Sequence, residues 1–298
     1  MKNQYVGDIG DFGKYSMLGA FIDAGVKVGV NWYLTEDDGS NDGKFTDYLN
    51  KDDMRRYCPE VFDALKGIVG NKDKTVFDIE KSGILPGTIF YSEILKPEGT
   101  PNDREQERSG WFHESLYELK AAELIFMDPD NGLLESDDAT KLGGEKYVLP
   151  SEVESYFIEG HNVVYYCHKG RRAYEQWEAH KSFMFSWVKD AKPAILTYHK
   201  GAQRSYIFLI HEKDFVRYRK IIDGILSSWY KVFSEEYISK GNPVSEPVGE
   251  VLVIERDDGT SYTIEKRTDG RIQMKSGKEP NATRIVTVDM FLRDIGYR

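Results

Sequence analysis

The stretch that most constrains this chain is Leu124-Ile125-Phe126-Met127, an unbroken apolar run that ends on Asp128-Pro129-Asp130-Asn131-Gly132. A strand with no polar residue on either side is covered on both faces, the condition of a parallel sheet packed between helices. Further β-rich runs stand at 26–34 (VKVGVNWYL), 88–95 (TIFYSEIL) and 162–168 (NVVYYCH). Stretches of helical character separate them: 14–25, 45–70, 114–122, 150–160 and 171–190. In the first, Met17, Leu18, Phe21 and Ile22 share a face and Gly25 is the stop. Strands alternating with helices predict an α/β fold with a Rossmann-like, mostly parallel sheet. Later, AILTYH (194–199) and SYIFLIH (205–211) flank the short KGAQR and read as an antiparallel pair, with an amphipathic helix over 214–233. KGNPVSEP (240–247) has linker chemistry, and beyond it Asp258-Gly259 and Asp269-Gly270 mark turns between alternating strands. The expected organisation is an α/β domain over 1–240 and a small C-terminal β-rich domain over 248–298.

Composition narrows the function classes. Fifty Asp and Glu against 40 Lys and Arg leave the 298 residues at a formal charge of −10. That balance excludes polyanion binding through bulk charge and leaves only local basic clusters to do it. Two cysteines, Cys58 and Cys167, exclude a disulfide scaffold and a Cys-rich zinc module. No run approaches the length of a membrane span, and MKNQYVGDIGDFGKY lacks the apolar core of a secretory signal. A cytoplasmic protein with no membrane partner is the expectation.

Ligands of open α/β sheets bind beyond the carboxyl ends of the strands, so the residues that follow each run are informative. After 26–34 come Thr35, Asp37, Asp38 and Asp42; after 124–127, Asp128, Asp130 and Asn131. After 162–167 come His168, Lys169, Arg171 and Arg172; after 194–198, His199, Lys200 and Arg204. Any one polar loop is ordinary surface, whereas four at one rim predict a site. Pro129 fixes the turn that follows Asp128, and Asp130 and Asn131 add acceptors and an amide donor. The competing reading is an Asx turn closed on its own backbone. At 5–15, YVGDIGDFGKY opens a helix with Gly7, Asp8 and Lys14 in its approach, where backbone amides and an ammonium would meet an anionic group. An acid at a helix start also has a plain dipole explanation.

Three stretches together carry a resemblance: NQYVGDIGDFGKYSMLGAFI (3–22), NWYLTEDDGSNDG (31–43) and LIFMDPDNGL (124–133). In order and position they resemble the class I SAM-dependent methyltransferase superfamily, nearest to its members that methylate adenine N6 in RNA or DNA. The late hairpin also suits the antiparallel seventh strand of that fold. The resemblance implies SAM as cofactor, held by Gly7, Asp8, Lys14, Thr35, Asp37 and Asp38, with Asp37 or Asp38 on the ribose or amino group. It also implies that Asp128 orients a target amine, with Asp130 and Asn131 in the rest of that motif. There the family has a second proline and an aromatic, so stacking of a base would fall to Tyr198 or Tyr166. Lys169, Arg171, Arg172, Lys200 and Arg204 would form a basic rim for the phosphates of a nucleic acid or nucleotide substrate.

Two other readings use the same rim. Asp37, Asp42, Asp128 and Asp130 are hard oxygen donors suited to Mg2+ or Mn2+, with His168 or His199 as general base, which describes a metal-dependent phosphoesterase or nuclease. The aspartate-rich 35–42 loop, where the family has glycines, equally suits a non-catalytic binding module on the same fold.

Overall fold

The computed structural model describes residues 1–39, 43, 45–71, 73–236, 252–255, 261–266, 272–276 and 279–286. Its centre is a seven-stranded sheet of β1 (Val28–Asn31), β2 (Ile89–Tyr91), β3 (Leu124–Met127), β4 (Asn162–Cys167), β5 (Lys192–Tyr198), β6 (Arg204–Ile210) and β7 (Phe233–Glu236), ordered β2-β1-β3-β4-β6-β5-β7. The first four strands run parallel, whereas β6 lies antiparallel between β4 and β5 and β7 antiparallel beside β5. The fold is α/β and Rossmann-like, as the alternation of runs predicts, with the antiparallel strands gathered in the second half.

Helices cover both faces, which explains the unbroken apolar runs. Leu124 and Phe126 enter one core with α1 (Ile9–Asp23), α2 (Pro59–Val69), α3 (Val76–Ser82) and α7 (Glu212–Ser228). Ile125 and Met127 point the other way, into a core with α4 (Pro101–Leu119), α5 (Pro150–Ile158) and α6 (Tyr174–Trp187). Polar residues have no place on such a strand until its carboxyl end, where Asp128 begins the loop.

Several boundaries differ from the sequence expectation, each for a local reason. Helix α1 starts at Ile9 rather than at 14 because Asp8 caps it, accepting from the Gly10 and Asp11 amides. Helix α4 begins at Pro101 because Thr100 and Asp103 form a capping box and proline suits the first turn. Helix α7 stops at Ser228, and Lys231, at φ 65°, turns the chain so that 233–236 becomes an added edge strand. Beyond it, β8 (Leu252–Glu255), β9 (Ser261–Lys266), β10 (Ile272–Ser276) and β11 (Glu279–Val286) form an antiparallel sheet. Ile264 from this sheet is buried against the first core. The 240–247 stretch and the two Asp-Gly turns lie outside the described residues. No helix among the described residues is long and apolar enough to cross a membrane.

Candidate functional site

The chain leaves β1 for β2 on one side and then crosses to β3 on the other, so the strand order reverses beside β1 and opens a crevice there. Residues 1–5 run across it. The α-amino group of Met1 donates to the Tyr33 carbonyl (3.0 Å), which follows β1, and to the Asp128 carbonyl (2.9 Å), which follows β3. Tyr33 supports this turn with φ 44°, its amide held by Asn31 Oδ1.

Next to this crossing lies a cleft of about 520 Å³, within the range of small-molecule sites. Its walls come from the start of α1 (Asp8, Gly10, Asp11, Lys14), the loop after β3 (Asp128, Pro129, Asp130, Asn131), the end of β4 and its loop (Tyr166, His168, Lys169), and the β5–β6 hairpin (Gln203, Arg204). Tyr5 and Phe45 complete it. The three loops that follow β3, β4 and β5 thus converge on one rim.

The acids of the cleft are already answered. Lys14 Nζ sits 2.7 Å from Asp128 and 2.8 Å from Asp11, all three buried. Asp130 pairs with the Met1 amino group at 2.8 Å and with Lys2 at 3.6 Å, and accepts from the Thr35 hydroxyl. Asp8 pairs with Arg204 at 2.7 Å. Burial pushes the Asp128 and Asp8 carboxyls above the ordinary carboxylate range against the pull of Lys14 and Arg204. Burial opposes the Lys14 charge too, but Asp11 and Asp128 outweigh it and hold the ammonium above its ordinary range.

Three groups on the same walls remain open. The Asn131 side-chain amide has no partner among the described residues, so it closes no Asx turn, and its backbone amide donates to the Lys146 carbonyl. His168 Nδ1 is buried without a hydrogen bond, and burial with Arg172 and Arg204 nearby pulls the ring below the ordinary histidine range, so it is neutral at pH 7. Lys169 has no carboxylate partner among the described residues. A neutral base, an amide offering donor and acceptor, and one uncommitted cation therefore face the same space.

The other expected residues are placed as follows. Gly7 donates its amide to Asp11 Oδ2, and the Gly10 amide is spent on Asp8, so the α1 terminus is capped from within rather than open to an anion. Thr35 lies beneath Asp130, outside the lining. Asp37 accepts from the Gln4 amide and Asp38 pairs with Lys2, which sets both beside residues 2–4 and off the cleft wall. Asp42 lies outside the described residues. His199 bonds Ser234 through Nε2 at 2.6 Å and does not line the cleft. Arg172 donates to the His168 carbonyl, and neither it, Arg171 nor Lys200 reaches the lining. Tyr166 stands in the wall, whereas Tyr198 packs against α1, where a Cβ on Gly13 would meet its ring at 2.6 Å. Among the described residues no group of three or more His, Cys, Asp or Glu side chains is placed to hold a metal ion.

Tyr5 and Phe45 follow no strand end and carry no signal in the sequence, whereas the 5–15 glycines suggest a ligand loop. Their reason is packing: a Cβ on Gly10 would meet the Arg204 guanidinium at 2.2 Å. Only glycine lets Arg204 lie across the helix start. No known protein-family model matches this chain, and no curated protein matches it either.

Proposed function

We propose that the cleft binds a nucleobase, free or in a nucleic acid, and that the protein is a SAM-dependent methyltransferase-like enzyme acting on its amino group. The observation that carries this reading is the convergence of Asn131, His168 and Lys169, all unengaged, on a cleft whose carboxylates are charge-paired. An amide presents an acceptor and a donor side by side, the complement of an amine next to a ring nitrogen. Asn131, rather than the Lys14-bound Asp128, is then the group that orients the target amine. The neutral His168 ring, which lines the cleft, takes up the proton that N-methylation releases. Tyr166 and the exposed Phe45 offer faces for a base, and Lys169 a contact for a phosphate.

SAM, when bound, supplies an electrophilic methyl group. The residues present fit it in part. Asp8 and Lys14 line the cleft and would have to share their partners Arg204, Asp11 and Asp128 to hold its amino-acid end. Asp37 and Asp38 are turned to Gln4 and Lys2. The antiparallel β6 stands where the resemblance expects such a strand. The metal-dependent reading has less support, because Asp128 and Asp130 would have to give up an ammonium group each before taking a cation.

Thermal unfolding tests the proposal. Saturating SAM or its demethylated product is expected to raise the Tm, and radiolabelled methyl should pass to adenine-containing RNA or DNA. A rise with Mn2+ and none with either SAM species would transfer the site to the phosphoesterase reading. No response to any of them, with oligonucleotide binding retained, would leave a binding module.

A further inference from the structure

A second cavity, about 680 Å³, opens along β2 at the edge of the sheet. Its floor is the end of the strand and the two residues after it, from Phe90 to Glu93, and its walls come from helices on opposite faces. Phe77 belongs to α3, which packs on the first core, and Glu114, Tyr117 and Glu118 to α4, which packs on the second. The groove therefore runs along the sheet edge with one helix on each side.

Strand β2 pairs with β1 alone among the described residues. The Trp32 amide donates to the Tyr91 carbonyl, so Tyr91 turns its peptide groups inward to β1. By alternation the peptide groups of Phe90 and Ser92 face the groove. Its two walls differ in chemistry. On the α3 side Phe77, 47% exposed, lines the groove together with Phe90. On the α4 side stand the exposed carboxylates of Glu114 and Glu118 with Tyr117, itself 65% exposed, and Glu93 adds a third acid at the strand end. The Tyr117 ring already takes an ammonium, Lys120 Nζ lying 3.7 Å from its centroid.

We infer that this groove binds an extended basic segment of a partner protein as an added strand on β2. A strand sends successive side chains to opposite faces, so a segment alternating apolar and basic residues puts the former on Phe77 and Phe90. The latter then fall on Glu114 and Glu118. A second copy of this chain would set Glu93, Glu114 and Glu118 against their own equivalents, and like charges across a strand pair are unfavourable.

The probe is a fluorescent Ac-(Lys-Val)4-amide peptide titrated into the full chain by anisotropy, with the equally charged (Lys-Pro)4 peptide as control, since proline cannot donate to a ladder. The double charge reversal Glu93→Lys/Glu118→Lys, at two exposed positions, is expected to weaken binding at least tenfold. Phe77→Ser should weaken it several-fold, and (Lys-Pro)4 should bind at least tenfold more weakly than (Lys-Val)4. Amide NMR shifts should centre on Phe90, Ser92 and Ile94. Equal binding of the two peptides, or no loss on charge reversal, overturns the inference. So does a peptide-free dimer, seen by light scattering, that Phe77→Ser dissolves, which would give the edge to a second copy.

Discussion

Two buried ion-pair networks meet the strand ends on different terms. Arg108, 1% exposed, donates to both carboxylate oxygens of Glu152 at 2.7 and 2.9 Å and to the Gly144 and Tyr147 carbonyls. Glu152 in turn accepts from the Leu149 amide and the Tyr33 hydroxyl. Both oxygens and every arm of that fork are engaged inside the protein. The Lys14 network has contacts as short, but Asp11, Asp128 and Lys14 also form a wall of the cleft, beside an unbonded His168 nitrogen. Charges buried with every bond made brace a fold. Charges buried next to open space and unused donors hold a ligand site in shape.

Removing the cation from each network separates the two roles and gives the largest effects. Arg108→Met strands Glu152, and Lys14→Met strands Asp11 and Asp128; each should lower stability by about 3–5 kcal/mol in denaturant unfolding. Binding of SAM, by calorimetry below the melting range, should survive in Arg108→Met and vanish in Lys14→Met. Equal loss of binding in both would erase the distinction.

His168 sharpens the comparison within the cleft, because its Nδ1 makes no hydrogen bond and the proposed reading gives its ring the proton transfer. His168→Ala should cut kcat about 10²–10⁴-fold and change stability by no more than about 1 kcal/mol. Its ring is held below the ordinary 6.5, so it stays neutral above that value, and the acid limb of the rate profile should lie below 6.5 and disappear in the variant. His180, hydrogen-bonded to Cys167 and Glu135, is likewise lowered by burial. A depressed folded-state pKa favours the neutral form, so the stability it carries is complete above 6.5 and declines as pH falls toward the folded value. Unfolding midpoints should therefore drop below pH 6.5, less steeply in a His180→Gln variant.

How far this was legible in the sequence depended on the range of the interaction. The LIFM run, the alternation of strands with helices and the 194–211 pair were readable because covering both faces removes polar residues from a strand. Asp128, Asn131, His168 and Lys169 were readable because they follow strand ends directly. Helix α3 and strand β7 carried no strong period, the first being seven residues and the second a continuation of a helical pattern. The Asp37 and Asp38 placement was beyond reach for another reason. Those carboxylates are held by Lys2 and Gln4, 33 to 36 residues away, and nothing in local spacing announces such pairs. The same holds for Gly10, whose requirement comes from Arg204, on the far side of the sheet order.

The smallest effect belongs to Lys169. Five cations were expected to form a basic rim, but Arg204 is committed to Asp8, Arg172 donates to the His168 carbonyl, and neither Arg171 nor Lys200 lines the cleft. Lys169 is the one cation of the lining without a carboxylate partner among the described residues, and on the proposed reading it would steer a phosphate without holding a polyanion on its own, in keeping with a chain of net charge −10. Lys169→Ala should weaken oligonucleotide binding about tenfold or less and lower the slope of log K against log salt by about 1, alike for all sequences. Asn131→Ala should instead leave that slope unchanged and relax the preference for adenine, at a cost of about 1–3 kcal/mol in discrimination. If the two variants moved slope and preference together, the cleft would be reading charge alone, and the contrast between its paired acids and its open groups would lose its functional meaning.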